Sequence, residues 1–337
     1  MAPPLQPIVI WFGRVGDMIL LSALLEILHR RFGRPCLVVG AGEWTAQIYE
    51  QHPDVAGVLW VRRYTPFLLD ARWWQAVRTL ARHRQDPVYV CESDPRKLAR
   101  VRRMLRAARI DTAHCIFMTE HPESLRQVNV CDQLVSLGRL TPRALNAAHY
   151  PWPQPPPRGA PMLTVSSAAR AAFERWAAAH SIGDSPQVLL QPGNRRTMRG
   201  SKLKLTAADE RFWPIERWVE LIHRIHARLP EARIVLCGSP REALLLDWIE
   251  RAARLPAVTL RGLPIPGLFG LCAAALGLPL VVLFGRNPPE MTSPRSPTGS
   301  PVVCVGGGPK APRVDLISVD AVYQAWSTLL AAAREVG

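Results

Sequence analysis

The sharpest chemical feature of the sequence is Gly13-Arg14-Val15-Gly16-Asp17, directly after the apolar run 8–12 and at the start of an amphipathic segment. Gly13 and Gly16 allow a tight turn and a close approach to a ligand. Asp17 then falls in the first helical turn, where two readings stand open: a carboxylate that merely caps the helix, or one that faces a ligand at the turn. A second such place is Leu189-Leu190-Gln191-Pro192-Gly193-Asn194-Arg195-Arg196-Thr197, a strand that runs into a polar, basic loop suited to an anion. A basic insertion with Lys202 and Lys204 follows, then Arg211-Phe212-Trp213-Pro214-Ile215-Glu216-Arg217-Trp218. Arg211 precedes a predicted helix start, whose free N–H groups favour phosphate.

Other chemistries find little support. A dinucleotide site requires Gly-x-Gly-x-x-Gly and an acid ending the second strand. Here the spacing is Gly-x-x-Gly and the second strand ends Val39-Gly40-Ala41-Gly42, so an NAD-dependent oxidoreductase is the weakest alternative. No Asp-x-Asp occurs, and His223 and His226 lie three apart without a third ligand, so no metal is expected. Neither a Gly-x-Ser-x-Gly elbow nor a phosphate-binding Gly-x-x-x-x-Gly-Lys-Ser/Thr loop is present.

These residues need a scaffold, and the hydrophobic pattern specifies one. Strands are predicted at 8–12, 36–39, 55–61 and 87–91, with helices at 17–31, 44–50, 69–82 and 95–108 between them. Continuous apolar strands separated by helices imply a parallel sheet covered on both faces. Residues 151–161 carry six prolines in eleven positions, which predicts a stiff extended linker. Beyond it the alternation resumes, with strands at 188–191, 233–237, 258–260, 280–284 and 302–305. Helices are predicted at 168–179, 215–229, 242–253, 268–276 and 319–334. The expected organisation is α/β throughout: a doubly wound domain over 1–150, the linker 151–161, a second domain over 162–317, and a terminal helix within 318–337.

The motifs, taken in order, resemble glycosyltransferase family 9, the ADP-heptose:lipopolysaccharide heptosyltransferases. Strand–Gly-x-x-Gly-Asp-Met–helix opens the match. Gln-Pro-Gly, Arg-x-Trp-Pro-x-Glu-x-Trp, Cys237-Gly238-Ser239-Pro240-Arg241-Glu242 and the run from Leu276 to Gly285 continue it across nearly the whole chain. The resemblance implies a GT-B fold, two facing Rossmann-like domains with acceptor in the first and nucleotide-sugar in the second. It implies metal-independent inverting transfer of a heptose from ADP-heptose, a co-substrate rather than a cofactor, to a lipopolysaccharide core or other anionic glycolipid. Asp17 matches the catalytic base, and Arg211 stands where the family has a lysine on the donor diphosphate. Asn194 and Thr197 lie in the loop that approaches those phosphates, with Arg195, Arg196, Lys202 and Lys204 as further phosphate contacts. Glu242 lies near the position that contacts the nucleotide ribose. One departure stands out. Where the family carries Asp-Thr/Ser-Gly-x-x-His, this chain runs from Arg261-Gly262 through Gly267 and Gly270 straight into Leu271-Cys272-Ala273. The alternative is therefore a catalytically impaired relative that only binds nucleotide-sugar or lipopolysaccharide.

Charge agrees with an anionic partner. The 337 residues carry a formal net charge of +15, with 42 basic residues of which all but Lys97, Lys202, Lys204 and Lys310 are arginines. Arginine keeps its charge and forks onto phosphate. In the segment 96–109, Leu98, Val101, Leu105 and Ala108 form an apolar stripe opposite Arg96, Lys97, Arg100, Arg103 and Arg106. That basic face suits anionic headgroups, and no recognition helix or stacking module points to nucleic acid. No apolar run reaches the roughly 18 residues of a membrane span, and residues 1–7 lack a secretory signal. The expectation is a cytoplasmic protein, peripheral on the cytoplasmic face of the inner membrane. The seven dispersed cysteines suit reduced, buried thiols.

Overall fold

Ile8–Ile10 forms β1, and none of its three side chains reaches solvent. Burial on both sides requires a central strand with helices on both faces of its sheet. The computed structural model describes residues 4–62, 69–120, 129–180, 182, 185–193, 198–199, 202–203, 210, 212–255, 257–261, 273–309 and 311–336. It places β1 at the centre of a five-stranded sheet. β2 (Cys36–Ala41) and β3 (Val55–Val61) lie on one side, β4 (Val88–Val90) and β5 (Cys115–Phe117) on the other, every pair parallel. The helices are α1 (Val15–Phe32), α2 (Trp44–Ile48), α3 (Ala71–Leu80), α4 (Pro95–Ala107) and α5 (Val130–Arg139).

α3 and α4 bury Trp73, Ala76, Val77 and Leu80, and Val101, Met104 and Leu105, in one cluster with Ile8, Ile10, Val39, Val88 and Val90. These two helices therefore cover the same face of the sheet, and their outer surfaces point away from it together. α1 packs on α5, where a Cβ on Gly138 would stand 2.9 Å from Ile27 Cγ2. Arg31, buried at that junction, donates to Gly138 O (2.6 Å), Leu140 O (2.9 Å) and Tyr150 O (2.7 Å). It supplies the last carbonyls of α5 with donors.

Contacts divide the chain into two units, Met1–Thr164 and Val165–Gly337. The proline-rich stretch 151–161 falls within the first of these units. Arg30 donates to Pro155 O, the Arg139 guanidinium lies 4.0 Å from the Trp152 ring centre, and Met162 N–H donates to Ser22 Oγ at 2.9 Å.

In the second unit β6 (Gln187–Leu190), β9 (Arg233–Gly238) and β10 (Ala257–Arg261) form a parallel sheet in the order β10-β9-β6. The intervening β7 (Met198–Arg199) and β8 (Lys202–Leu203) make an antiparallel hairpin, and β11 (Leu280–Phe284) pairs in parallel with β12 (Val302–Gly306). The helices are α6 (Ser167–Ala179), α7 (Ile215–Arg228), α8 (Ala243–Ala253), the short α9 (Pro289–Thr292) and α10 (Val319–Val336). Trp213 anchors this core: it is buried, its Nε1–H donates to Ile317 O at 2.8 Å, and it meets Trp218 edge to face at 4.8 Å. Cys36, Cys91, Cys115 and Cys237 are free and buried, Cys131 is buried, and burial pushes the Cys237 thiol up to about 12. Cys272 lies outside the described residues. No described helix is long and apolar enough to cross a membrane.

Candidate functional site

In the first unit the sheet order runs outward from β1 in both directions, to β2 and to β4. Ligands of parallel sheets bind outside the carboxyl ends of strands at such a reversal. Gly13 and Asp17 follow the carboxyl end of β1. Asp17 is the third residue of α1, half-buried, and its Oδ2 accepts the Arg14 N–H at 2.7 Å. A Cβ on Gly13 would stand 2.5 Å from Asp17 Cβ, so glycine there leaves room for the carboxylate to fold back. Among the described residues Oδ1 has no partner, and it sits at the positive end of an 18-residue helix. The two readings of Asp17 are therefore compatible: one oxygen caps and orients, and the other is available. Gly16 lies beside it in the first turn of α1.

No motif marks Glu92, which lies two residues beyond β4 and so beside the same reversal. Glu92 is 2% exposed, its Oε1 accepts the Asp94 N–H at 3.0 Å, and Lys97 Nζ lies 3.6 Å from Oε2. Burial raises its carboxyl above the usual range, opposed by the Asp94 N–H and by Lys97. Asp94 in turn caps α4 through the Arg96 and Lys97 N–H groups, whose hydrogen bonds hold its carboxyl below the usual range. The signal in the sequence was an acid placed directly after an all-apolar strand.

Two members of the expected basic face turn inward. Lys97 leans to Glu92, and Arg100 Nη2 lies 3.8 Å from Asp70 Oδ2, with its guanidinium 5.1 Å from the Trp73 ring centre. Burial lowers the Arg100 pKa, and Asp70 opposes the shift. Asp70 is fully buried, caps α3 and also accepts the Arg62 N–H.

In the second unit Glu242 occupies the corresponding place. It lies beyond β9, in the 3-10 turn Pro240–Glu242, and is 6% exposed. Its Oε2 accepts from Ser239 N–H (2.7 Å) and Ser239 Oγ–H (2.8 Å). A Cβ on Gly193 would stand 2.1 Å from Glu242 Oε1, and one on Gly238 3.4 Å from Oε2. Gly193, three residues past β6, and Gly238, the last residue of β9, thus make the space that this carboxylate fills. The structure brings Gly193 and Glu242 together; Asn194, Arg195, Arg196, Thr197, Lys204 and Arg211 lie outside the described residues. Lys202 is placed by its backbone in β8. The departure at 262–270 also lies outside the described residues. Pro214 is the N-cap of α7 rather than its first helical residue. Among the described residues no three His, Cys, Asp or Glu side chains gather as a metal site, and His223 Nε2 bonds Ala253 O at 2.8 Å.

No family model and no curated protein sequence matches the chain. Its fold, however, is shared end to end with solved structures. A glycosyl transferase family 9 protein from Veillonella parvula DSM 2008 is similar with a TM-score of 0.73 at 14% identity, over 98% of this chain and 99% of that one. ADP-heptose LPS heptosyltransferase II of E. coli gives 0.64 at 17% identity, over 98% and 99%. E. coli heptosyltransferase WaaC, determined with ADP, gives 0.62 at 17%, over 96% and 99%. The fold is the GT-B type that the motifs implied, with Rossmann-like α/β units, and the resemblance to family 9 holds at the level of the whole fold.

Proposed function

We propose that this chain is an inverting, metal-independent glycosyltransferase. It moves a heptose or similar sugar from a nucleotide-sugar of the ADP-heptose type to a hydroxyl of a lipopolysaccharide core or other anionic glycolipid. One observation carries this reading: a carboxylate with one oxygen unpartnered among the described residues, at the carboxyl end of β1, in a fold shared over nearly its whole length with heptosyltransferases. In the reaction the acceptor oxygen attacks the anomeric carbon as the bond from that carbon to the diphosphate breaks. Asp17 takes the acceptor proton, and the leaving electron pair stays on the nucleotide diphosphate.

Cationic and amide groups stabilise that leaving charge, a contribution realised chiefly in the transition state. Arg211 is assigned to the diphosphate, with Asn194, Arg195, Arg196, Thr197, Lys202 and Lys204 around it. Glu242 Oε1 accepts from the ribose hydroxyls while Oε2 stays tied to Ser239. The protein needs no resident cofactor, and a glycolipid acceptor places it at the cytoplasmic face of the inner membrane.

The missing Asp-Thr/Ser-Gly-x-x-His segment favours a second reading, a chain that binds nucleotide-sugar or lipopolysaccharide without transfer. Calorimetry with ADP and a radiolabelled transfer assay separate the two. Binding with transfer supports the enzyme, binding without transfer supports the second reading, and neither result would leave both without a donor site.

A further inference from the structure

The outer surface of α3 and α4 carries charge of one sign. Residues 71–109 hold eleven basic side chains and three acidic ones, and each acid is already engaged within the segment. Asp86 pairs with His83 Nδ1 at 2.9 Å, Glu92 is buried beside Lys97, and Asp94 caps α4. The apolar stripes of both helices are spent on one core cluster, so the positions opposite those stripes form one continuous face. Arg78, Arg96, Arg103 and Arg106 are exposed there, with Arg82 just past the end of α3. Among the described residues, Arg78, Arg82 and Arg106 make no ion pair. Such neighbours repel one another in water, and a solvated helix surface ordinarily mixes signs.

Apolar bodies are exposed on and beside α3. Leu69, which precedes the N-cap Asp70, is 79% exposed, and Trp74 on α3 is 38% exposed. Nucleic-acid surfaces use stacked aromatic platforms or a helix in a groove, and an exposed leucine serves neither. Arginines on a broad helical face, with an exposed Trp on it and an exposed Leu beside it, suit the headgroup layer of an anionic bilayer, where the ring and alkyl groups leave water and the guanidinium groups meet phosphate.

We infer that the α3–α4 face is the surface by which this protein docks on an anionic membrane. This deepens the proposed placement at a membrane and rests on it, but it makes no use of the transfer chemistry. It also separates Arg100 and Lys97, which face inward to Asp70 and Glu92, from the arginines that meet the lipid.

The test is sedimentation of the whole chain with vesicles of phosphatidylcholine alone or mixed with phosphatidylglycerol, at about 0.15 M salt. The chain should bind the mixed vesicles and not the pure ones. Arg78→Glu, Arg96→Glu and Arg106→Glu together should cut that binding by about tenfold or more, while the matching lysine triple keeps most of it. A glutamine triple with an unchanged melting curve should fall between, and it replaces the glutamate triple if that one unfolds. Equal binding by all triples, no binding of the wild type to mixed vesicles, or displacement from them by an oligoribonucleotide overturns the inference. Transfer activity without vesicle binding overturns this inference alone; vesicle binding without transfer overturns only the proposed reaction.

Discussion

Asp17 and Glu242 are the same device built twice and set at different depths. Each is a carboxylate beyond a parallel strand that reaches back three residues to a backbone N–H, Arg14 in one unit and Ser239 in the other. Each fills space that a glycine leaves open, Gly13 in the first unit and Gly193 in the second. Each leaves one oxygen without a partner among the described residues, but Asp17 is half-buried, while Glu242 is buried and its Oε2 accepts a second bond from the Ser239 hydroxyl. An accessible carboxylate with a spare lone pair can accept a proton from a substrate. A buried one, held by two bonds to a single oxygen, is better suited to fixed recognition of hydroxyl donors by the other. Local geometry alone makes a cap; exposure decides what else the cap can do.

The contrast is broken most severely at Asp17. Asp17→Asn keeps an oxygen for the Arg14 N–H, so the melting curve and ADP affinity should change little while transfer slows by about 10²–10⁴-fold. A transfer assay with unchanged turnover would reduce Asp17 to its capping role. Arg211→Ala should act on the other side of the comparison, weakening ADP binding by about 1.5–3 kcal/mol with little effect on the acceptor. Calorimetry giving equal ADP affinity would place the diphosphate elsewhere.

Gly193→Ala sharpens the comparison at lower amplitude. Its Cβ would stand 2.1 Å from Glu242 Oε1, so the carboxylate or the loop must shift. The expected cost is about 1–3 kcal/mol of stability, read from chemical denaturation, together with a loss of ADP affinity. ADP affinity equal to that of the wild type would mean that Glu242 does not face the nucleotide.

The smallest effect concerns pH and belongs to the first unit. His52 is buried, its Nδ1 accepts the Asp54 N–H at 3.2 Å, and its Nε2–H is left to donate to Met162 O at 3.2 Å. Burial lowers its pKa, opposed by the bond to Met162 and by the Asp54 charge, so the folded chain prefers the neutral ring. The unfolded chain takes up a proton below about pH 6.5, so this contribution is present above that pH and is lost as pH falls toward the lower folded value. His52→Gln should flatten that part of the stability profile in denaturant melts taken across the range. An unchanged slope would assign it to other groups.

What was legible in the sequence follows from range. The strands at the centre of the first sheet announce themselves because two-sided burial makes them apolar throughout, and Gly13, Arg14 and Asp17 act within five residues of one another. β5 and α5 escaped notice: β5 is three residues long, and the stripe Cys131, Leu134 and Leu137 of α5 spans only two turns. The prolines of 151–161 specify an extended path but not what it packs against, which Arg30 and Arg139 decide from elsewhere in the chain. Periodicity put Lys97 and Arg100 on the polar face of α4, and buried acids pull them inward; the Asp70 partner of Arg100 is 30 residues away. Glu92 matters only because β4 lies beside β1, and sheet order is not written in any local pattern.

The most direct test of the two-carboxylate account is a crossed measurement on two variants, with transfer turnover at saturating donor and ADP affinity determined for each. Asp17→Asn should lose turnover by about 10²–10⁴-fold and keep its ADP affinity, whereas Glu242→Gln should lose ADP affinity and keep most of its saturated turnover. If Asp17→Asn retains full turnover, or if both variants lose the same quantity, the difference in depth between the two carboxylates carries no division of labour and the account is wrong.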